Sequence, residues 1–195
     1  LEDTIGKITD AIESQSDGTT STTYDINITN DIELSSLNLD FNGERTEGRT
    51  YRINLSIGTS DDPKTLIISG TGTGPGITIA NNGLDSITVY IRYGSIVDNR
   101  TSDAGPMSTI SIQGPGNGTG TTNATLYKVS ISSTVPANLE SSCILSVSDG
   151  ASVTINDSTL ATTGNVGTIG VSMESNSGSK TTTLKTYLDS LIESS

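Results

Sequence analysis

Nine short β-branched runs, separated by Gly-, Ser- and Asn-rich corners, constrain this chain more than any other feature. From residue 51 they read YRINLSIG, KTLIISG, GITIANNG, SITVYIRYGSIVDN, STISIQG, TLYKVSISST, CILSVSDG, SVTINDS and TIGVSME. Apolar and polar residues alternate within them, so Ile53, Leu55 and Ile57 fall on one face and Asn54 and Ser56 on the other. That period commits the runs to strands and separates them from a Ser/Gly-rich linker, which has none.

What fills the core narrows the architecture. The chain is 31% hydrophobic but only 4% aromatic, with no Trp and a single Phe, Phe41. Ile, Val and Leu must therefore fill the interior, and thin ladders of such residues suit a solenoid, where each coil buries its side chains against the next. The expected coils group YDINITNDI with LNLDFNG, YRINLSIG with TLIISGTG, GITIANN with SITVYIRYGSIVDN, STISIQG with LYKVSISST, and CILSVSDG with SVTINDSTL, leaving TIGVSME as a partial coil. Ile77 and Ile79 are expected to stack on Ile110 and Ile112, and these on Leu145 and Val147. Gly70, Gly72, Gly74 and Gly76, with Pro75, read as one enlarged corner, and GPGNGTGTTN at 114–123 as a protruding loop.

The ends read differently. Leu1, Ile5, Ile8 and Ile12 recur at helical spacing, as do Leu184, Tyr187, Leu188, Leu191 and Ile192. The expected organisation is an N-terminal amphipathic helix and linker (1–20), a β-solenoid (21–178) and a C-terminal helix (179–195). Such helices would cap the exposed ends of a solenoid or dock on a neighbouring subunit and drive assembly. The chain begins at Leu1 rather than Met, as expected of a processed precursor or a trimmed start.

Composition excludes several function classes. The net charge is −12, from 10 basic and 22 acidic residues, and the basic ones are scattered. Nucleic-acid binding and attachment to an anionic membrane are therefore not expected. No run approaches the roughly 18 apolar residues of a membrane span. With no His and one cysteine, Cys143, there is no Ser–His–Asp or Cys–His site, no zinc site and no intrachain disulfide.

Two segments, GITIANNGLDSITVYIRYGSIVDN and CILSVSDGASVTINDSTL, resemble coils of right-handed parallel β-helix proteins of the pectate-lyase-like superfamily. The likeness is to the non-enzymatic surface and adhesin-like members and spans residues 50–175. It implies an all-β chain forming a short right-handed parallel β-helix, flanked here by an N-terminal and a C-terminal α-helix. The rival fold is a β-sandwich pilin-like subunit, because strands with turns every 8–12 residues fit that too.

Carboxylates are the remaining catalytic groups. Enzymes of the resembling superfamily use clustered Asp with Arg or Lys, and VDNRTSD supplies Asp98, Arg100 and Asp103. Asp and Asn are also favoured in turns because they bond their own backbone, which is the expectation here. Asp61 and Asp62, with Asp85, Asp149 and Asp157, are candidate Ca²⁺ ligands, although no EF-hand loop or Gly–Asp nonapeptide is present. Tyr90 and Tyr93 are the only close aromatic pair that could face a sugar. Six N-x-S/T sequons occur, at Asn27, Asn54, Asn99, Asn117, Asn123 and Asn156. Chance supplies about four in a chain so rich in Ser and Thr, and Asn117, Asn123, Asn99 and Asn27 are the glycosylation candidates.

The expected function is therefore that of an extracellular structural subunit, at a cell or virion surface, which self-assembles into a filament, appendage or coat. It needs no cofactor, Ca²⁺ being the one candidate ion, and no catalysis. The alternatives are an adhesin or viral receptor-binding module that recognises glycans through residues 98–106 and 114–123, and a polysaccharide lyase or glycosidase using Asp98 and Asp103.

Overall fold

The computed structural model describes residues 21–41, 48–81, 83–101, 108–134, 143–162, 169–174, 181–187 and 191–194. Strands recur in groups of three. The first group is β1 (Ser21–Ile28), β2 (Ile32–Leu34) and β3 (Leu37–Asp40), and the second is β4 (Thr50–Ile57), β5 (Thr65–Ile68) and β6 (Ile77–Ala80). Next come β7 (Ser86–Arg92), β8 (Ser95–Asp98) and β9 (Ser108–Gln113), then β10 (Thr121–Tyr127), β11 (Ser130–Ser133) and β12 (Cys143–Ser148). The chain continues through β13 (Ser152–Asn156), β14 (Thr159–Thr162) and β15 (Ile169–Met173) to β16 (Thr183–Tyr187) and β17 (Leu191–Ser194).

Each group is one turn of a parallel β-solenoid. The first sheet stacks β1-β4-β7-β10-β13-β16, the second β2-β5-β8-β11-β14-β17, and the third β3-β6-β9-β12-β15. All pairings within these sheets are parallel, which excludes a sandwich of antiparallel hairpins. Along the first sheet the repeat is 29 to 36 residues, seen where Ser21 pairs Thr50 and Thr50 pairs Ser86, and the third sheet widens the range to 26 (Cys143 with Ile169) and 40 (Leu37 with Ile77). Ile77 and Ile79 pair Ile110 and Ile112, which pair Leu145 and Val147, as expected. The expected first coil is the first turn, but the expected second coil, YRINLSIG with TLIISGTG, lacks its third strand, GITIA; the later expected coils start one strand earlier than the turns above and have the same pairings. The alternation in each strand is correct, but nothing in a sequence marks which corner starts a turn.

Inward positions form continuous ladders. Leu55, Ile91, Leu126 and Ile155 stand in register and are fully buried. β-Branched and γ-branched side chains pack well at the roughly 4.8 Å spacing of parallel strands. The largest aromatics of the interior, Phe41 and Tyr51, stack with centroids 6.1 Å apart beside the first turn.

The corner between the first and second sheets is a column of left-handed residues: Gly58, Tyr93, Gly94, Lys128 and Asp157 all have positive φ. At Gly94 a Cβ would overlap the carbonyl oxygens of Ile57 and Lys64, so glycine is required by close approach as well as by φ. The loop expected to protrude at 114–123 is instead strapped down. Gly114 N–H bonds Ser148 O (3.0 Å), Gly116 N–H bonds Asp149 O (3.2 Å), and residues 121–123 belong to β10.

The expected C-terminal helix is not formed. Residues 183–187 and 191–194 are strands that extend the solenoid, with Val153 paired to Leu184 and Leu160 to Ile192. The edges of β13 and β14 offer rows of unpaired N–H and C=O groups, and the Thr-rich start of this segment has strand propensity. A ready edge outweighs a helical stripe. The 3–4 spacing of Leu184, Leu188, Leu191 and Ile192 is thus misleading as a helix signal; Leu188 itself, and the expected helix carrying Leu1, Ile5, Ile8 and Ile12, lie outside the described residues.

Candidate functional site

Asp98 ends β8 at an inward position, in register with Ile68 of the turn before and Ser133 of the turn after. A carboxylate is thus set where the ladder would take an aliphatic residue, and it is wholly buried, as is Arg100. Arg100 returns to it two residues later. Its Nε donates to Asp98 Oδ1 (2.8 Å) and Nη2 to Asp98 Oδ2 (2.7 Å). Thr109 Oγ1 donates to Oδ2 (3.0 Å) and Arg100 N–H to Oδ1 (3.3 Å). Four donors therefore occupy the carboxylate, leaving no free lone pair to take a substrate proton.

The rest of the guanidinium ties corners together. Nη1 donates to Gly74 O in the enlarged Gly-rich corner, and Nη2 to Ser108 O at the start of β9 (2.9 Å). Asp98 O in turn accepts Thr134 N–H from the following turn (2.9 Å). Asp98 and Arg100, the catalytic candidates set beside the expectation of a turn, form a buried pair whose side chains tie the Gly74 corner of the preceding turn to the start of β9. Asp103 lies outside the described residues.

The other acidic candidates occupy corners. Asp61 and Asp62 are exposed, and Asp62 pairs with Lys64 (2.6 Å). Asp85 is buried and accepts Arg49 N–H (2.9 Å). Asp149 and Asp157 hold left-handed turn positions. Among the described residues no three His, Cys, Asp or Glu side chains gather as a metal-binding group.

The sequons follow from strand geometry. An outward Asn and an outward hydroxyl two residues on share one face, so alternation itself writes N-x-S/T at Asn27, Asn54 and Asn123. Asn27, Asn99, Asn117 and Asn123 are exposed. Asn54 is buried and donates to Asp25 Oδ1 (2.7 Å), which removes it as an acceptor of sugar.

Two surface features remain. The first is the outer face of the first sheet. One outward row runs Asp25, Asn54, Tyr90, Thr125, Thr154, Lys185, and the next Asn27, Ser56, Arg92, Tyr127, Asn156, Tyr187. Arg52 lies over the Tyr90 ring (4.4 Å), Lys128 over Tyr127 (5.5 Å), and Tyr93 meets Tyr127 edge-on. Tyr90 was singled out in the sequence; Tyr127 and Tyr187 join it only through register. Beside this face, Thr59, Tyr93, Lys128 and Asp157 help line an open groove of about 460 Å³.

The second feature is the end of the stack. Met173 continues the ladder of Leu39, Ile79, Ile112 and Val147, all fully buried, yet it is 45% exposed. Ile192 continues the ladder of Leu66, Ile96, Ile131 and Leu160, also fully buried, yet it is 39% exposed. At the other end Ile26, Ile28, Leu37 and Leu39 are buried.

Cys143 opens β12 with its thiol buried, and burial pushes its pKa up to about 11, helped by the Glu174 charge and opposed by a Ser172 backbone hydrogen bond. At pH 8 its thiolate population should therefore lie on the order of 100-fold below that of an unfolded cysteine, and a disulfide reagent should modify native protein correspondingly slowly. Unfolding in urea should release the full rate. Because the folded pKa is the higher one, the neutral thiol favours the folded state below about pH 9, and that contribution is lost as pH rises through about 11.

Comparison of the chain with family models, with characterised proteins and with solved structures finds no match.

Proposed function

We propose that this chain is an extracellular structural subunit, a stiff solenoidal segment that assembles with copies of itself through the open end of its stack. The observation that supports this most directly is the exposure of Met173 and Ile192 at positions that the second, third and fourth turns bury fully; in the first turn Leu39 is buried and Ile32 partly so. These side chains occupy inward ladder positions of the last strands, with no further turn beyond β15, β16 and β17 among the described residues to cover them. Covering them returns roughly 25 cal/mol for each Å² of apolar surface removed from water and satisfies the edge hydrogen bonds. The stacked ladders supply rigidity, and the Thr-, Ser- and Asn-rich outward rows keep the sides hydrated. The saturated Asp98 counts against a carboxylate glycosidase or lyase.

Negative-stain electron microscopy of the full chain at rising concentration tests this. Ordered end-to-end assemblies are expected, lost in Ile192→Lys and in a chain lacking 181–195. Discrete particles at every concentration would sink the reading.

A further inference from the structure

We propose that the outer face of the first sheet is a lateral docking surface for a second copy of this chain, and that it receives the acidic flank formed by Asp31, Glu33, Asp61 and Asp62. The inference rests on the self-assembling reading above and adds a second contact to it.

Charge is the first argument. In a chain of net charge −12, Arg52, Arg92 and Lys185 stand on this face, and Lys128 stands at its rim, 3.9 Å from Asp157. The remaining described cations are elsewhere: Arg49 and Arg100 are buried, and Lys64 is bound to Asp62. On the six strands of the sheet the only carboxylate is Asp25, which is engaged by Asn54. The acidic flank lies off the face, across the groove that Thr59 and Lys128 line. Asp31 follows β1, Glu33 points outward from β2, and Asp61 and Asp62 follow Gly58; all four are exposed. Two such patches attract across molecules, whereas either patch repels its own kind.

Composition is the second argument. Tyr and Arg are enriched at the centres of protein interfaces, Tyr because it brings large area at small entropic cost and Arg because its planar guanidinium both stacks and donates several hydrogen bonds. Here Tyr90, Tyr127 and Tyr187 share the face, and Tyr187 is 51% exposed. Arg52 is already stacked on Tyr90, so part of the ordering cost is met before binding. A contact between unlike patches is heterologous and repeats unless its rotation closes a ring, so it would set stiff segments side by side.

Analytical ultracentrifugation of the full chain decides the matter. In an Ile192→Lys background, which blocks the end contact, the weight-average mass is expected to exceed the monomer at 50 mM NaCl and fall to it at 500 mM. Arg52→Glu/Lys185→Glu and Asp61→Lys/Asp62→Lys should each weaken this association at least about tenfold. Mixed in equal amounts, the two variants should associate again, because each offers the charge the other lacks; circular dichroism checks that both are folded. Tyr90→Ser, which leaves the charges in place, should also weaken it. Monomer at every salt concentration, or variants that fail to rescue each other, would overturn the proposal, as would binding of added dextran sulfate to the face without self-association. Loss of filaments in the wild type with this salt-sensitive association intact would instead count only against the end contact.

Discussion

Asp98→Ala is expected to lower the free energy of unfolding by about 3–5 kcal/mol, read from the midpoint of a urea titration. The loss is large because the substitution leaves a charge rather than a gap. Arg100 is 1% exposed, and without Asp98 its guanidinium keeps only carbonyl acceptors, at Gly74 and Ser108, in a place water does not reach. Asp98→Asn should cost less, since an amide oxygen can still accept from Arg100. Replacing both members, by Asp98→Leu with Arg100→Met, removes the stranded charge and should recover part of the loss. It should not recover all of it, because the Gly74 carbonyl then loses the Arg100 donor and the Thr109 hydroxyl loses its carboxylate acceptor, Ser108 O keeping only the Gly76 N–H. Full recovery by the double variant would mean that the pair does not hold the corners. A loss below about 1 kcal/mol for Asp98→Ala would mean that the site opens to water and the clamp is a surface bridge.

Ile91→Ala should cost about 2–5 kcal/mol in the same assay. Ile91 is fully buried, with Leu55 below and Leu126 above it in register. The spacing of those neighbours is held by the ladders of all three sheets, so they cannot close on the space left behind. Tyr90 is the internal control. It is adjacent in sequence but points outward, and Tyr90→Ser should move stability by no more than about 1 kcal/mol, the worth of its stacked Arg52. Similar losses for both substitutions would contradict the assigned faces of β7.

Much of this architecture is legible in the chain. Strand alternation places every inward Ile and Leu of YRINLSIG and SITVYIR, and the shortage of aromatics points to thin stacked ladders rather than to a sandwich. The Gly and Asp corners follow from the need for positive φ at sharp bends, met at Gly58, Gly94, Asp149 and Asp157. Asp98 carried an unused signal: in Ser-Ile-Val-Asp the same alternation that buries Ile96 must bury Asp98. Reading that position as a turn acid or a catalytic candidate gave weight to its residue type and none to its period.

The sequence by itself therefore determined the strands, their inward faces and the residues able to turn the corners, because these depend on neighbours one to four positions away. Only the tertiary structure decided the phase of the turns, the fate of residues 183–194 and the two surfaces. That GITIA is the third strand of the turn from Thr50 is set by the pairing of Ile77 with Leu37, 40 residues back, and with Ile110, 33 residues on. A helical stripe became two strands because an open edge at β13 and β14 lay within reach. Tyr90, Tyr127 and Tyr187, far apart in the chain, form one face only because parallel stacking brings every turn back to the same place.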